Sequence, residues 1–294
     1  MKTVILASIL ILATNAFLAQ DSSQDISKTN IFSVGLRHLA DLFTIHGVPK
    51  NQNSGDTLEI IINHGYCLGY SKKYNQPLWA AYQVSKSKEQ TDYERPLFFA
   101  DDVRLPEKNR IGSETYGDGY DLGHMVPNAA INKQYGKLAQ METFLMSNVA
   151  PQTAGLNRGV WAKLEAQILE KYCYKGDTTI SKQKHSRDHI WVIVGPIFGE
   201  NPNYLTRKNG SKVAIAESFF CIIVRPFKYD YDVPTNAEYL SFIFPQTLTQ
   251  AQKITKDFFV SINEIEAKTK LNFFPNFTKH YEAKVENTVP TKLW

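Results

Sequence analysis

The stretch GYDLGHMVPNAA, residues 119–130, crowds two glycines, a proline, an acid and a histidine into twelve positions. Glycine and proline punctuate turns. His124 is therefore either a polar residue set into a turn or a base presented by one. Leu122 stands out as an apolar side chain between Asp121 and Gly123.

Working outward, the nearby polar residues that matter are Asp121, Asn148, Asn157 and Glu165. The segment LNRGVWAKLEAQILEKY, 156–172, repeats Trp161, Leu164, Ile168 and Tyr172 at three- or four-residue spacing, which predicts an amphipathic helix. On a regular helix Asn157 and Glu165 share one side, about 12 Å apart along the axis. That separation lets both line one cleft but not touch one ion unless water bridges. An amide oxygen, a carboxylate reaching through water and a nearby histidine make a poor zinc site. They suit magnesium, which keeps most of its water and takes hard oxygen donors. A histidine beside hydrated magnesium can serve as a general base in phosphoryl chemistry. Spacing leaves alternatives open: His124 as a structural turn residue, and Asn157 as a helix cap. Asp121 reads as a turn or strand-end residue that orients the loop.

The flanks supply a mixed architecture. LEIIINHGYCLGY and PLWAAYQV predict two strands, 58–70 and 78–84, forming a hairpin. Residues 85–118 are charged and irregular, and METFLMSNVAPQ, 141–152, is an apolar run stopped by Pro151. HIWVIVGPIF, AIAESFFCIIVRPF and YLSFIFPQ predict three more strands, rich in β-branched and aromatic residues. A rough helical spacing covers 31–43, and a late helix is expected within 249–269. Strands, a long central helix, then more strands argue an α+β fold. His64 reads as a strand residue, and His185 and His189 as surface residues of a polar loop.

At the start, MKTVILASILILATNAFLAQ has a charged residue, an apolar run and small residues at a cut site, the layout of a secretory signal. The expected division is a signal at 1–16 (or to 19–20), an extension at 17–45, the main domain at 46–280 and a tail at 281–294. The apolar run is too short to span a bilayer. An exported chain with no membrane attachment after cleavage is therefore expected. With 33 basic and 29 acidic residues the net charge is +4, which permits a polyanionic partner without arguing for one. At 43% hydrophobic the chain can bury a sizeable core, and its composition is not that of a disordered one. Cys67, Cys173 and Cys221 allow at most one internal bridge, and no Cys-x-x-Cys spacing suggests zinc. Asn209 and Asn276 open sequons that matter only in a eukaryotic host.

GYDLGHMVPNAA, ETFLMSNVAPQ and LNRGVWAKLE, in this order and spacing, resemble the active-site region of the DNA/RNA non-specific endonucleases, the ββα-metal family that includes endonuclease G. HGVP at 46–49, PLWAAYQVS at 77–85 and FFPNF at 273–277 extend the likeness over about 46–278. The resemblance implies a ββα-metal fold with a central mixed or antiparallel sheet and a long helix carrying the metal ligand. It implies His124 as general base, Asn157 as the direct ligand of magnesium (manganese or another divalent cation being admitted), and Glu165 as acting through metal-bound water. Asn148 would support the site. Arg95 would neutralise the scissile phosphate, with Arg110 as its competitor. Water would attack phosphorus in line, the metal would bridge a non-bridging and the departing 3′ oxygen, and 5′-phosphates would result. DNA or RNA would be the partner, held mainly by phosphate and sugar and hence with little sequence preference. A homodimer is compatible with the resemblance.

This chain departs from the family at position 122, where Leu122 replaces an arginine. Arg158, directly after Asn157, is a candidate substitute in substrate binding. The expected consequence is an active enzyme altered in rate or preference. Two other functions compete: a nucleic-acid-binding protein that has lost catalysis, for which Leu122 speaks, and a phosphodiesterase of small substrates, which needs a closed pocket.

Overall fold

The β-rich runs pair into one sheet in the computed structural model, which describes residues 38–85, 93–117, 119–174, 189–206, 210–230, 233–277 and 284–294. From Leu39 onward these belong to one compact unit, Leu39–Trp294. The expected signal at 1–16, residues 17–37 of the expected extension at 17–45, His185 and Asn209 lie outside the described residues.

The strands are β1 (Lys50–Asn51), β2 (Leu58–Ile62), β3 (Tyr66–Ser71), β4 (Gln76–Ser85), β5 (Tyr120–His124), β6 (Val149–Thr153) and β7 (His189–Ile197). After them come β8 (Tyr204–Thr206), β9 (Lys212–Ala214), β10 (Ser218–Asp230), β11 (Val233–Pro245) and β12 (Leu271–Asn272). The helices are α1 (Asn128–Glu142), α2 (Ala162–Glu170) and α3 (Ile262–Thr269). Six strands form an antiparallel sheet in the order β11-β10-β7-β4-β3-β2, and β5 pairs with β6 apart from it. The fold is α+β, as expected.

Continuous apolar strands follow from burial of both sheet faces. Ile190, Val192 and Val194 of β7 face one core with Tyr66, Leu68, Phe219, Cys221, Trp161, Leu164 and Ile168. Trp191 and Ile193 face the other, with Cys67, Phe220, Ile222, Ile262, Ile265, Phe273 and Phe274. Period-two alternation sends successive side chains to opposite layers. Cys67 and Cys221 are unbridged and lie on different faces. The α2 layer on the first face carries the candidate site.

Several local expectations give way. The run 58–70 is two strands, broken at Asn63–Gly65, so the hairpin is a three-stranded meander. His64 is exposed in that break, with Nδ1 2.9 Å from Glu142 Oε1. His189 begins β7 instead of lying in a loop. Pro151 does not end the apolar run but sits inside β6, opposite Leu122. The late helix shrinks to α3, capped by Ser261, which accepts from the Glu264 N–H. Helix α1 has no counterpart in the sequence reading. Its buried face includes polar Asn132 and Gln140, and Gly136 interrupts it with φ 83°, so no apolar stripe marks it. The C-terminal residue Trp294 is 8% exposed, packs in the first core and lies under the Arg225 guanidinium.

Candidate active site

His124 ends β5 and meets two rings that also touch each other, Phe99 at 5.1 Å and Phe144 at 5.0 Å. Its Nε2 is buried without a hydrogen-bond partner among the described residues. Burial first, and the Arg95 charge second, hold the imidazole down to a pKa of about 3, so it is neutral at ordinary pH. The Arg95 guanidinium lies over the Phe144 ring at 5.1 Å, which places it in the same cluster.

Asn148 is fully buried and staples the chain beyond His124. Its Oδ1 accepts from the Val126 N–H at 3.0 Å, and its Nδ2 donates to the Val126 and Thr143 carbonyls, both at 3.0 Å. Its own carbonyl accepts from the Met125 N–H at 2.9 Å. The turn Met125–Pro127 is therefore set by one amide side chain.

Asn157 does not begin a regular helix. Leu156–Trp161 is a π-helical turn with a break at Gly159, leading into α2. The axial separation calculated for a regular helix does not apply. A Cβ on Gly155 would stand 2.2 Å from the Leu248 carbonyl oxygen, so only glycine lets this turn press against that loop. Asn157 does not cap a helix either. Its Nδ2 donates to Asp121 Oδ2 at 3.0 Å, which leaves the amide Oδ1 as the donor atom a hard cation takes.

Asp121 also receives both faces of the Arg158 fork, Nε to Oδ2 at 2.8 Å and Nη2 to Oδ1 at 2.6 Å. Burial would raise the Asp121 carboxyl. Hydrogen bonds from Arg158 and Asn157 and the Arg158 charge outweigh this and hold it below the usual carboxylate range. Along β5, Asp121 faces away from Leu122 and His124 by strand alternation. Leu122 packs instead, as Phe99 and Tyr120 do, against the cluster of Ile111, Met146, Val149 and Val213. Arg158 thus sits on the side opposite Leu122 and does not take the place of an arginine there. Its side chain remains 63% exposed.

Glu165, on α2, has its carboxyl pushed up to about 8 by burial, with Trp161 and the Arg95 charge opposing. The fields of Arg95 on both Glu165 and His124 draw the three residues into one electrostatic group. Arg110 is committed elsewhere: Nε donates to the Leu105 carbonyl at 2.7 Å and Nη2 to that of Val103 at 2.9 Å, tying its own loop.

Three participants escaped the sequence reading. Phe99 and Phe144 wall His124, and nothing in their local pattern announced it. Gln152, cross-strand from Asp121, is buried with both amide atoms unpartnered among the described residues. It lies so close to Gly123 that a Cβ there would meet its Cδ at 2.4 Å. Its place at the end of ETFLMSNVAPQ, one of the three blocks that carry the family resemblance, was the available signal.

The residues fit a hydrated hard cation. Among the described residues no group of three or more His, Cys, Asp or Glu could enclose a metal. What the fold offers is one oriented amide oxygen and the Glu165 carboxyl.

The profile of the DNA/RNA non-specific endonuclease family matches residues 47–280. The chain belongs to that family and is, with it, an enzyme of the nuclease class. It is 27% identical to human endonuclease G, mitochondrial, over 72% of this chain and 68% of that protein. It is also 27% identical to human nuclease EXOG, mitochondrial, over 77% of this chain but only 59% of that relative's length. A nuclease of Nostoc sp. is 26% identical over 78% of each chain. In structure the chain resembles one from the crystal structure of the EndoG/EndoGI complex, with a TM-score of 0.58 over 81% of this chain and 92% of that one, at 20% identity. That likeness supports the shared ββα-metal fold.

Proposed function

We propose that this chain is an exported endonuclease that hydrolyses phosphodiester bonds of DNA or RNA with little sequence preference, using a hard divalent cation, magnesium or manganese. The observation that carries the reading is His124: a neutral imidazole with an unpartnered Nε2, within the field of Arg95, whose guanidinium lies over the Phe144 ring that His124 also meets. Arg95 draws the phosphodiester to the site. Burial is the larger cause of the low His124 pKa; the substrate's negative charge counters the smaller part that comes from Arg95 and makes the imidazole a better base.

His124 takes the proton of a water as its oxygen attacks phosphorus opposite the 3′ oxygen. The P–O3′ bond breaks and its electron pair goes to the 3′ oxygen, which takes a proton from a solvent water to leave as the alcohol. A 5′-phosphate remains, and His124 gives its proton back to the hydroxide so formed. Asn157 would hold the cation through Oδ1, kept in orientation by Asp121, and the Glu165 carboxyl would hydrogen-bond its hydration water. When bound, the cation supplies charge stabilisation to the phosphorus oxygens and the leaving oxygen. Asn148 positions the turn after His124 and is not itself a reacting group. Export rests on the N-terminal apolar run and small residues; N-terminal sequencing of protein recovered from the medium tests it.

A plasmid-nicking and RNA-digestion assay with magnesium, with chelator and with His124→Ala tests the catalytic reading. Magnesium-dependent cleavage should fall at least a thousandfold in the variant, on the order expected when a general base and its transition-state role are lost together. Salt-sensitive binding without cleavage by the folded wild type would make the chain a nucleic-acid-binding protein on this fold.

A further inference from the structure

The segment Tyr93–Arg104 is fastened at both ends and bare in the middle. At one end Asn132 exchanges two hydrogen bonds with the Tyr93 backbone, both 3.1 Å, Gln140 Nε2 donates to the Tyr93 carbonyl at 3.1 Å, and Lys137 donates to that of Glu94 at 2.6 Å. At the other, the Ala100 N–H donates to the Phe144 carbonyl at 3.0 Å and the Ala100 carbonyl accepts from Met146 at 2.9 Å. Buried Asp102 accepts from Ser147 Oγ at 2.6 Å and from Arg104. Between these anchors Phe99 turns in against His124, and Arg95 lies over Phe144. Leu97 and Phe98 turn out, 83% and 81% exposed.

An apolar pair held this far into water, on a loop whose position is already fixed, is ready to meet a ligand at small ordering cost. It continues directly into the site through Phe99. The wall on that side is apolar, since Phe99 and Leu122 pack against one buried cluster of Ile111, Met146, Val149 and Val213. The ligand that brings a phosphodiester to Arg95 and His124 also brings flat apolar faces a short chain distance away, the nucleobases. In a closed duplex those faces are covered by their neighbours. In single strands, nicks and unpaired sites they are open to an aromatic side chain.

We propose that Phe98, with Leu97 beside it, is the surface on which an unstacked base of the substrate rests while its phosphodiester lies at His124, so that this enzyme favours single-stranded or unpaired nucleic acid over closed duplex. The inference rests on the nuclease reading of the same site, and binding measured without turnover separates the two.

Three labelled oligonucleotides of one sequence are needed: a single strand, a closed duplex, and a duplex with one unpaired base. Fluorescence anisotropy in chelator gives their affinities for the wild type, Phe98→Ala, Phe98→Trp and Leu97→Ala. The wild type should bind the single strand and the unpaired site more tightly than the duplex. Phe98→Ala should cut that preference by about tenfold, the size of one base–aromatic stack, and Phe98→Trp should keep it. With turnover restored, Phe98→Ala should raise KM on single strands. Equal affinities for all three oligonucleotides, or a preference unchanged in Phe98→Ala, overturns the proposal. So does a wild-type dimer that Phe98→Ala converts to a monomer in sedimentation, which would make the pair a contact between copies. If the wild type binds with the stated preference but never cleaves with magnesium or manganese, the nuclease reading fails while the base-resting surface stands.

Discussion

At the residue scale the site turns on how Asp121 divides its oxygens. Asn157 and Arg158 both donate to it, so one carboxylate orients the metal-holding amide and anchors an exposed cation. A hydrogen bond to a charged group contributes about 1.5–3 kcal/mol. Asp121→Asn should therefore weaken manganese binding in calorimetry by about tenfold or more, because it loosens the Asn157 amide and removes a nearby negative charge. Arg158→Gln leaves the Asn157 bond in place and should weaken it less, or tighten it by freeing negative charge. Equal losses in the two variants would show that Asp121 does not act through Asn157.

His124 and Glu165 predict a pH profile for the metal-free protein. The folded pKa of His124, about 3, lies below its unfolded value of 6.5. Between those values the unfolded state binds more protons, so stability falls as the pH drops below 6.5. The folded pKa of Glu165, about 8, lies above its unfolded value of 4.5. Its contribution is whole below 4.5 and is lost as the pH rises to 8. From 4.5 to 6.5 the two slopes oppose each other. Above and below, each acts alone at up to about 1.4 kcal/mol per pH unit. Urea denaturation in chelator should show a plateau with two falling flanks. Glu165→Gln should remove the alkaline flank and His124→Ala the acid one. Saturating manganese should stabilise the protein more at pH 8 than at pH 6, since cation binding favours the ionised carboxyl. A flank that survives its variant would assign it to another group.

At the element scale, the site is assembled where short elements meet: the β5–β6 pair, the π-helical turn before α2, and the loop anchored on α1. The amide of Asn148 joins two of these by bonding to Val126 and Thr143. Truncation leaves a buried N–H and two carbonyls with lost partners. Asn148→Ala should cost about 3 kcal/mol or more, at roughly 1–3 kcal/mol for each buried group left unsatisfied. Loss of activity without a lower urea midpoint would mean instead that Asn148 meets the substrate. Helix α1 escaped the sequence reading because its buried polar residues serve the Tyr93 loop, a use no helical periodicity records.

At the scale of the whole molecule, the sheet is covered on both faces, and the chain's last residue closes one of those covers. Trp294 meets Tyr172 edge-on at 5.8 Å and the Arg225 guanidinium at 4.1 Å. Deleting Leu293 and Trp294 should cost about 3–5 kcal/mol, the range for removing a large buried aromatic side chain. Thermal and urea unfolding measure it, and an unchanged midpoint would show the end of the chain to be dispensable.

The sequence by itself determined the class of fold, the apolar runs of the central sheet, with β2 and β3 merged into one, and the three motif blocks that hold His124, Asn148, Asn157 and Glu165. These are written locally: apolar runs of β-branched and aromatic residues make buried strands, and short motifs keep their spacing along the chain. Only the tertiary structure decided which polar atoms meet. It gave Asp121 to Asn157 and Arg158, committed Arg110 to its own loop, set Arg95 over Phe144, and put Arg158 and Leu122 on opposite sides of β5. Apart from the local loop of Arg110, each of these depends on contacts between segments distant in sequence, and in every case distance and burial determine the partner and residue type alone does not.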